Sequence, residues 1–464
     1  MTAPDAALAY AREHRQAILE DLKSLLRIPS ISSHAMGTSP AMLQTAEWIA
    51  GQLRGLGFEA VDLLPTPRNP VVTGEWLRAG PSAPTLLVYG HYDVQPTDPL
   101  ELWTSDPFDP QVRGDNLYAR GASDMKGQLV AHIKAVESLI RTTGLKVNLK
   151  FMIEGEEEIG SPDLEAFLRQ HKDRFTCDLC FNGDSGILAP DIPSLTYGVR
   201  GLSYFEIRLT GPASDLHSGS FGGAVDNPAF VLCQLIAGMR DRRGRITLPG
   251  FYDRVRRVSK SEREELARLP MDEAWWLEKT GAPALSGEAG YTSSERAKAR
   301  PTLEVNGFLS GFTGQGSKTV LPSKAMAKIS MRLVPDQTPV EVRQGLRAYL
   351  EANAPPTVTW ELEELSSCGP AIVERDSEAV RAASLALEAV WGKRPVFDRT
   401  GGSIPVVGLI QDLLGVDSLL LGFGLPDDNL HAPNEKQNLP NLFKGIEATI
   451  HFLSEIHKQV AQER

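Results

Sequence analysis

Short apolar runs that alternate with helix-period segments are the feature that most constrains the fold of this chain. The apolar runs lie at residues 84–90, 147–153, 178–181 and 419–423. Their length and composition suit strands that are buried on both faces of a sheet. Amphipathic segments with helical spacing lie at residues 10–26, 41–56 and 125–140. Strands that alternate with helices predict an α/β sheet covered by helices on both faces.

The stretch 198–365 has a different pattern, in which polar and apolar residues alternate or mix as in half-exposed strands. Candidate strands lie at 204–209, 302–308, 325–333 and 358–362, and candidate helices at 228–239 and 339–352. Four strands with two helices on one face predict an α+β insert. Because 464 residues exceed one ordinary core, we predict two domains. A discontinuous, mixed-sheet α/β domain takes residues 1–197 and 366–464, and the insert takes 198–365, including an elaborated connection at 250–300.

The formal net charge of -11 limits the partners of the chain. Nucleic acids and anionic membranes bind basic surfaces, so we predict no nucleic acid and no membrane partner, whereas metal ions are compatible. No apolar run reaches the length of a membrane span, and the first residues lack the features of a secretory signal. Four cysteines do not make a disulfide framework in a chain this long. These features predict a cytoplasmic protein.

Acidic and imidazole side chains follow the apolar runs. The loops carry His91 and Asp93, Asp124, Glu156 to Glu158, Asp184, and His431. Ligands of open α/β sheets bind beyond the carboxyl ends of the strands, and adjacent carboxylates need a cation. One such loop alone is typical of a hydrogen-bonded core histidine or a solvated acidic face, whereas their convergence predicts a metal site. Nitrogen and oxygen donors suit Zn²⁺, Mn²⁺ or Co²⁺, and the Irving–Williams order favours Zn²⁺ over Mn²⁺.

The segments around these residues resemble the M20 family of dinuclear metallopeptidases, and most closely its dipeptidase branch, which includes the carnosine and cytosolic non-specific dipeptidases. The resemblance runs from about residue 15 to about residue 455, with the motifs in order. It extends into the insert at residues 197–201, 215–219 and 332–335. It therefore implies that residues 198–365 form the lid, or dimerisation, domain of that family, and that the α/β domain is catalytic.

The resemblance also implies a role for each residue of the metal site. It implies two divalent metal ions, bridged by Asp124, with His91 and Asp184 completing one site and Glu158 and His431 the other. Glu157 would be the general base that activates the water shared by the ions, and Asp93 would orient His91. The Gly160-Ser161 pair sets this register and leaves Glu156 spare. Relatives also hold the peptide bond after the bridging aspartate in cis.

The implied substrate site uses residues further along the chain. Arg332 would pair the free carboxylate of a small peptide, and Thr319 would lie near it. The Gly-rich turn at Gly402 and Ser403 suits a substrate carboxylate, because it presents backbone amides and a hydroxyl; no GxSxG elbow surrounds Ser403. In the dipeptidase branch two lids pair. We therefore predict a homodimer through the lid, in which His217 reaches the partner's active site and stabilises negative charge.

Two other motifs carry no function in this interpretation. Cys177 and Cys180 have CxxC spacing, but they lie in a predicted strand with no second CxxC, which favours packing. Residues 311–319 nearly spell a P-loop, but they have one residue too many and no following helix.

The sequence therefore predicts a metal-dependent dipeptidase that cleaves dipeptides or short peptides with a free C-terminal carboxylate. An M20-type amidohydrolase, either an N-acyl-amino-acid deacylase or a carboxypeptidase, is the alternative. A metal-binding scaffold without catalysis is disfavoured, because both Glu157 and His217 are present.

Overall fold

The computed structural model describes residues 3–402 and 404–462. These residues form two units. The first consists of the described residues of Met1–Tyr197, Val373–Phe397 and Leu409–Arg464, and the second of those of Gly198–Ile372 and Asp398–Gly408. The short segment Asp398–Gly408 thus belongs to the second unit, although it follows that unit's main part in the chain.

Helices and strands are numbered here along the chain. The helices are α1 Ala3–Glu13, α2 Arg15–Leu26, α3 Pro40–Gly55, α4 Lys126–Thr142, α5 Leu164–His171, α6 Ser218–Phe221, α7 Pro228–Gly238, α8 Lys260–Leu266, α9 Glu273–Thr280, α10 Ser293–Ala299, α11 Pro339–Asn353, α12 Glu378–Trp391, α13 Pro405–Leu414 and α14 Leu439–Gln462. The strands are β1 Glu59–Leu64, β2 Val71–Trp76, β3 Thr85–His91, β4 Gln111–Arg113, β5 Asn116–Tyr118, β6 Asn148–Glu154, β7 Leu179–Asn182, β8 Ser194–Val199, β9 Gly201–Thr210, β10 Leu216–His217, β11 Thr302–Ser310, β12 Val320–Leu321, β13 Lys324–Leu333, β14 Thr359–Cys368, β15 Ala371–Ile372, β16 Val396–Thr400, β17 Ser418–Leu420 and β18 Lys436–Asn438.

The first unit contains a mixed sheet whose strands run in the order β1-β2-β6-β3-β7-β17-β8. Strands β6, β3, β7 and β17 are parallel neighbours, whereas β1, β2 and β8 pair antiparallel with their neighbours. Val88 of β3 lies opposite Phe151 on one side and Phe181 on the other. All three side chains are fully buried, which explains why this strand is continuously apolar. The mixed-sheet α/β class is therefore confirmed.

The second unit contains an antiparallel sheet in the order β11-β13-β9-β14. Burial alternates along β13 residue by residue, as expected when one face of a sheet is covered. The core on that face joins strand residues to α7 and α11 through Phe205, Ile207, Leu209, Ala327, Ile329, Met331, Leu232, Leu235, Leu346 and Leu350. Four strands with two helices on one face are thus present, as the sequence predicts.

Helix termini in the second unit are capped by side chains. Thr292 accepts a hydrogen bond from the amide of Glu295, and the Glu295 carboxylate accepts one from the amide of Thr292, which completes a capping box at α10. Ser259 and Asp272 cap α8 and α9 by accepting hydrogen bonds from the backbone amides of Glu262 and Trp275. The elaborated connection predicted at 250–300 therefore contains three short helices. Within the described ranges, no helix has both the length and the apolar character needed to cross a membrane.

Candidate dinuclear metal centre

The five side chains predicted as metal ligands lie at one edge of the first unit's sheet. His91 is the last residue of β3, and Asp184 lies two residues beyond β7. Glu158 lies in a short 3₁₀ turn, Glu157–Ile159, after β6, and Asp124 lies just before α4. His431 follows β17 in a loop where its φ is +62°. Parallel strands end at a common edge, so residues far apart in the chain meet there.

The ligand atoms form two groups that share one residue. His91, Asp124 and Asp184 form the first group, and Asp124, Glu158 and His431 form the second. In each group one nitrogen or oxygen atom per residue lies within 4.8 Å of the others. The sharing of Asp124 is the arrangement expected of a carboxylate that bridges two ions. The peptide bond between Asp124 and Met125 is cis, as the resemblance implies.

The distances within these groups fit divalent ions. Oδ1 of Asp124 lies 3.2 Å from Nε2 of His91, and Oδ2 lies 3.0 Å from Nε2 of His431. Nε2 of His431 also lies 3.2 Å from Oε2 of Glu158. Two donor atoms bound to one tetrahedral zinc ion lie about 3.3 Å apart, given bonds of about 2 Å. The donor set, with two imidazoles, three carboxylates and no thiolate, therefore fits two borderline divalent ions.

The electrostatics of the centre favour the binding of a cation. Burial raises the pKa of Glu157 well above its usual range, and the neighbouring carboxylates of Asp184, Asp124 and Glu158 raise it further against the opposing effect of His91. Burial and Asp124 likewise raise the pKa of Asp184 to about 7. Crowded carboxylates of this kind are stabilised in their charged form by a bound cation.

Asp93 connects the two halves of the centre. Its Oδ1 lies 3.3 Å from Nδ1 of His91, the ring nitrogen that does not face Asp124. Its carboxylate also accepts hydrogen bonds from the backbone amides of Glu157 (3.2 Å) and Glu158 (3.0 Å). The sequence predicts the contact with His91, whereas the two amide contacts could not be read from residue types. Asp93 can therefore fix both the histidine ring and the glutamate turn.

The three consecutive glutamates have different surroundings. Glu156 accepts hydrogen bonds from the amide of Asn69 and the hydroxyl of Thr66, both at 2.9 Å, and it belongs to neither ligand group. Glu158 belongs to the second group. Glu157 belongs to neither group but is adjacent to a member of one. This pattern supports the register in which Glu157 is the base and Glu156 is spare.

Gln95 is a contact of the centre that the sequence interpretation missed. Its side-chain amide donates to Oε2 of Glu158 (2.8 Å) and to the Glu158 carbonyl (3.1 Å). Gln95 lies four residues after His91 in the same loop, so its position in the sequence could have indicated that it lies near the centre. Cys177 and Cys180 are free and belong to no ligand group among the described residues.

The second unit holds the residues predicted to contact substrate. His217 in β10 pairs with Val320, and its Nδ1 accepts a hydrogen bond from the amide of Gly219 at 3.0 Å. Thr319 is its neighbour, since the Thr319 carbonyl accepts from the amide of Ser218. Segment 311–319 leads into β12 rather than into a helix, which agrees with its exclusion as a P-loop.

Arg332 lies on the open face of the second unit's sheet, opposite Leu202 on β9 and Thr302 on β11. It lines a cavity of about 620 Å³ together with Arg200. Nε of Arg200 donates to the carbonyl of Gly401 (3.1 Å), so Arg200 adjoins both the cavity and the Gly-rich turn. The sequence interpretation gave Arg200 no role.

The Gly-rich turn itself is partly described. The amide of Gly402 donates to Oγ1 of Thr400 at 3.3 Å. Ser403 lies outside the described residues. Lys298 of α10 donates to Asp398 (2.8 Å) and to the carbonyl of Arg399 (3.4 Å), which attaches the start of this segment to the elaborated connection.

Residues 87–455 match the family described as Peptidase family M20/M25/M40. A mouse (Mus musculus) Beta-Ala-His dipeptidase is 30% identical over 469 residues, covering 97% of this chain and 95% of that protein. The Cys-Gly metallodipeptidase dug1 of Schizosaccharomyces pombe is 31% identical over 454 residues, covering 94% of each.

Solved structures give the same family. The M20 family metallo-carboxypeptidase Sso-CP2 from Sulfolobus solfataricus has a TM-score of 0.82 at 34% identity, covering 95% of this chain and 99% of that one. The di-peptidase Dug1p from Saccharomyces cerevisiae has a TM-score of 0.76 at 27% identity and covers 99% of each chain.

Proposed function

Because this chain belongs to peptidase family M20, we propose that it is a metal-dependent dipeptidase that hydrolyses dipeptides and short peptides with a free C-terminal carboxylate. The observation that carries the proposal is the carboxylate of Asp124, whose two oxygens face two different histidines and belong to two ligand groups. The relatives that cover nearly the whole chain and act on dipeptides, by their names, support the substrate class.

We propose that the two ligand groups hold two divalent ions, with Zn²⁺ as the native metal and Mn²⁺ or Co²⁺ as functional substitutes. When bound, such ions polarise the scissile carbonyl and make water a stronger nucleophile. Glu157 belongs to neither group. Its carboxylate therefore remains free to take a proton from the attacking water and to deliver it to the leaving amine.

Recognition of the free carboxylate is supported by the cationic cavity of the second unit. Arg200 donates to the backbone carbonyls of Gly401 and Arg300, and forms no ion pair with a carboxylate of the described residues. Burial and the charge of Arg332 lower the pKa of Arg200 to about 10. A partly buried guanidinium without a paired carboxylate is costly, so an anionic group in the cavity would stabilise it. A substrate carboxylate between Arg200 and Arg332 meets this need.

We further propose a homodimer that pairs through the second unit. Strand β11 is an edge of its sheet and exposes Val305, Phe308 and Leu309 by 45%, 45% and 57%. An edge strand with such side chains is suited to pairing with a second copy of itself. In that dimer His217 would act in the partner's site, where it would stabilise the negative charge that develops on the substrate oxygen.

The cellular location proposed from the sequence, the cytoplasm, is supported by the thiols. Cys177, Cys180 and Cys233 are free thiols in the structure. Free thiols are typical of proteins in reducing compartments.

A substrate panel tests the proposed activity. The protein is stripped with a chelator and reloaded with Zn²⁺, Mn²⁺ or Co²⁺, then assayed with dipeptides, the same dipeptides as C-terminal amides, longer peptides with the same last residue, and N-acetyl amino acids. We expect the highest kcat/KM with unblocked dipeptides, and a loss of roughly 10- to 100-fold with the amides. A preference for longer peptides would favour a carboxypeptidase, the activity that the name of Sso-CP2 gives. Preference for N-acetyl amino acids would favour a deacylase.

A further inference from the structure

Glu435 is a buried carboxylate that contacts the loop of the shared metal ligand. Its Oε1 accepts hydrogen bonds from the backbone amides of Ser123 and Asp124, both at 3.1 Å. Its Oε2 accepts from the amide of Gly121 at 3.0 Å and from Nη1 of Arg120 at 2.7 Å. Only 1% of the Glu435 residue surface is exposed. One carboxylate thus accepts hydrogen bonds from three backbone amides of the segment that leads into Asp124.

The same glutamate belongs to the loop that carries His431, the second histidine of the centre. Its own carbonyl accepts a hydrogen bond from the amide of Ala119 at 3.1 Å, so the two loops are also joined through backbone. Nearby, the hydroxyl of Ser123 donates to Oδ2 of Asp428 at 2.7 Å. The loop of the bridging ligand and the loop of His431 are therefore tied together at several points, with Glu435 at the largest number of them.

We propose that Glu435 is a positioning residue that holds Asp124 in register with His431, so that the shared carboxylate is correctly oriented before the metal ions bind. The inference rests on the proposed metal centre and not on the proposed substrate. The physical reason is that an ionised carboxylate accepts several amide hydrogen bonds strongly. Groups that orient metal ligands from behind commonly change metal affinity by about 10- to 100-fold when they are removed.

Glutamine at position 435 tests this role because it keeps the size of the side chain. Its amide nitrogen would have to face either the two amides at Oε1 or Gly121 and Arg120 at Oε2. In either orientation the NH₂ group of the glutamine would face other N–H donors, and buried donors would be left without an acceptor. The Asp124 loop would then lose its fixed position while all five metal ligands remained unchanged.

A matched control lies in the second unit. Glu288 is also buried, at 6% exposure, and its carboxylate accepts two hydrogen bonds from Arg300 at 2.8 and 2.9 Å. Glu288→Gln removes a buried charge from an arginine pair, as Glu435→Gln does, but Glu288 belongs to no loop of the metal centre. It reports the effect of lost stability alone.

The experiment measures Co²⁺ binding to the chelator-treated full-length protein by calorimetry and by the visible absorption bands of bound Co²⁺, with circular dichroism as the check of folding. We expect Glu435→Gln to weaken Co²⁺ binding by about 10- to 100-fold and to shift the bands, and Glu288→Gln to leave both unchanged. Wild-type affinity and bands in Glu435→Gln would overturn the proposal, as would equal losses in the two variants.

A second variant covers the outcome in which Glu435→Gln does not fold. Glu435→Asp keeps the charge toward Arg120 but shortens the reach to the amides. Weaker Co²⁺ binding in a folded Glu435→Asp protein supports the positioning role, and unchanged binding overturns it. The wild-type arm separates this inference from the proposed centre: wild-type protein that binds no Co²⁺ would refute the metal centre itself, whereas a failed dipeptide assay would leave this measurement intact.

Discussion

Glu156 and Glu157, which follow β6, show that a shift of one position along the chain gives a glutamate different surroundings. Glu156 is held by Thr66 and Asn69, whereas Glu157 is surrounded by the charges of the ligand groups. The two side chains are chemically identical, so their surroundings differ only because the backbone turn points them in different directions. Substitution of each glutamate in turn can therefore test whether Glu157 transfers protons, as proposed, while Glu156 does not.

Glu157→Gln should lower kcat by on the order of 100-fold or more, because an amide cannot accept and return the proton. Metal binding should persist, since Glu157 belongs to neither ligand group. Glu156→Gln is the matched control and should retain near-normal kcat, because it can still accept from Asn69. Steady-state kinetics with a metal analysis of each protein checks both. Normal turnover in Glu157→Gln together with an inactive Glu156→Gln would show that the register is wrong.

Arg200 offers a second test at this scale. Arg200→Gln should raise KM for a dipeptide by about 10-fold or more, and should reduce the preference for the free carboxylate over the C-terminal amide. Arg208→Gln provides the control, because Arg208 lies within β9 and its charge is already paired with Glu206 and Glu363. The measurement compares, for both variants, the KM of a dipeptide with a free carboxylate and the KM of its C-terminal amide. An unchanged acid-to-amide preference in Arg200→Gln would exclude this arginine from carboxylate recognition.

At the scale of elements, α4 runs behind the centre and is buried along most of its length. His132 in this helix is fully buried, with Nδ1 3.2 Å from the hydroxyl of Thr449. Burial lowers the pKa of His132 to about 4, against a smaller raising effect of the Leu421 backbone. The folded protein therefore keeps this imidazole neutral at pH values where an unfolded chain would protonate it.

The sign of the resulting pH dependence follows from that difference. Because the pKa of His132 is lower in the folded protein, its contribution to the free energy of unfolding is fully present above the unfolded pKa of about 6.5. This contribution is lost as the pH falls toward about 4. Across this window wild-type protein should lose on the order of 3 kcal/mol more free energy of unfolding than His132→Gln. Urea denaturation of the chelator-treated proteins at several pH values measures the difference. Parallel pH profiles would mean that His132 does not titrate in this way.

Which elements could be predicted from the sequence depends on their burial. β3, β6 and β7 lie in the middle of the sheet, so their apolar runs identify them and, with them, the loops that hold His91 and Asp184. β1 was not predicted, because it is a half-exposed edge strand whose polar residues interrupt the pattern. The predicted helix at 10–26 is two helices that meet at His14, although backbone hydrogen bonds continue across that residue.

Other features of the fold and of the site could not be predicted from any pattern in the sequence. The segment Asp398–Gly408 belongs to the second unit because of contacts such as that of Lys298 with Asp398, which only the folded chain brings together. The proposed role of Arg200 likewise depends on the absence of an ion pair with any carboxylate in the described part of the chain, which the sequence alone does not show. By contrast, two of the three short helices in the elaborated connection had a sequence signal that was not used, since Ser259 and Thr292 each precede a glutamate by three residues.

At the scale of the whole molecule, the proposed dimer predicts that one active site draws on two chains. His217→Ala and Glu157→Gln should each be nearly inactive alone. When the two variants are mixed and allowed to exchange subunits, half of the dimers combine them, and each of these has one complete site. Activity should return to about one quarter of the wild-type value. Mass analysis of tagged subunits verifies the exchange; exchange without recovered activity would place His217 in its own subunit's site or in none.

The first unit is assembled from three separate stretches of the chain, and this order has a consequence for its biosynthesis. β17 pairs in parallel with β7, although Leu419 and Phe181 are separated by the whole of the second unit's main segment. A ribosome delivers the chain from its N-terminus, so β7 emerges long before the strand that covers its edge. His431 arrives later still. A nascent chain can thus complete this sheet and bring together the five candidate metal ligands only after residue 431 has emerged, and the edge of β7 stays unpaired and open to chaperones until β17 arrives.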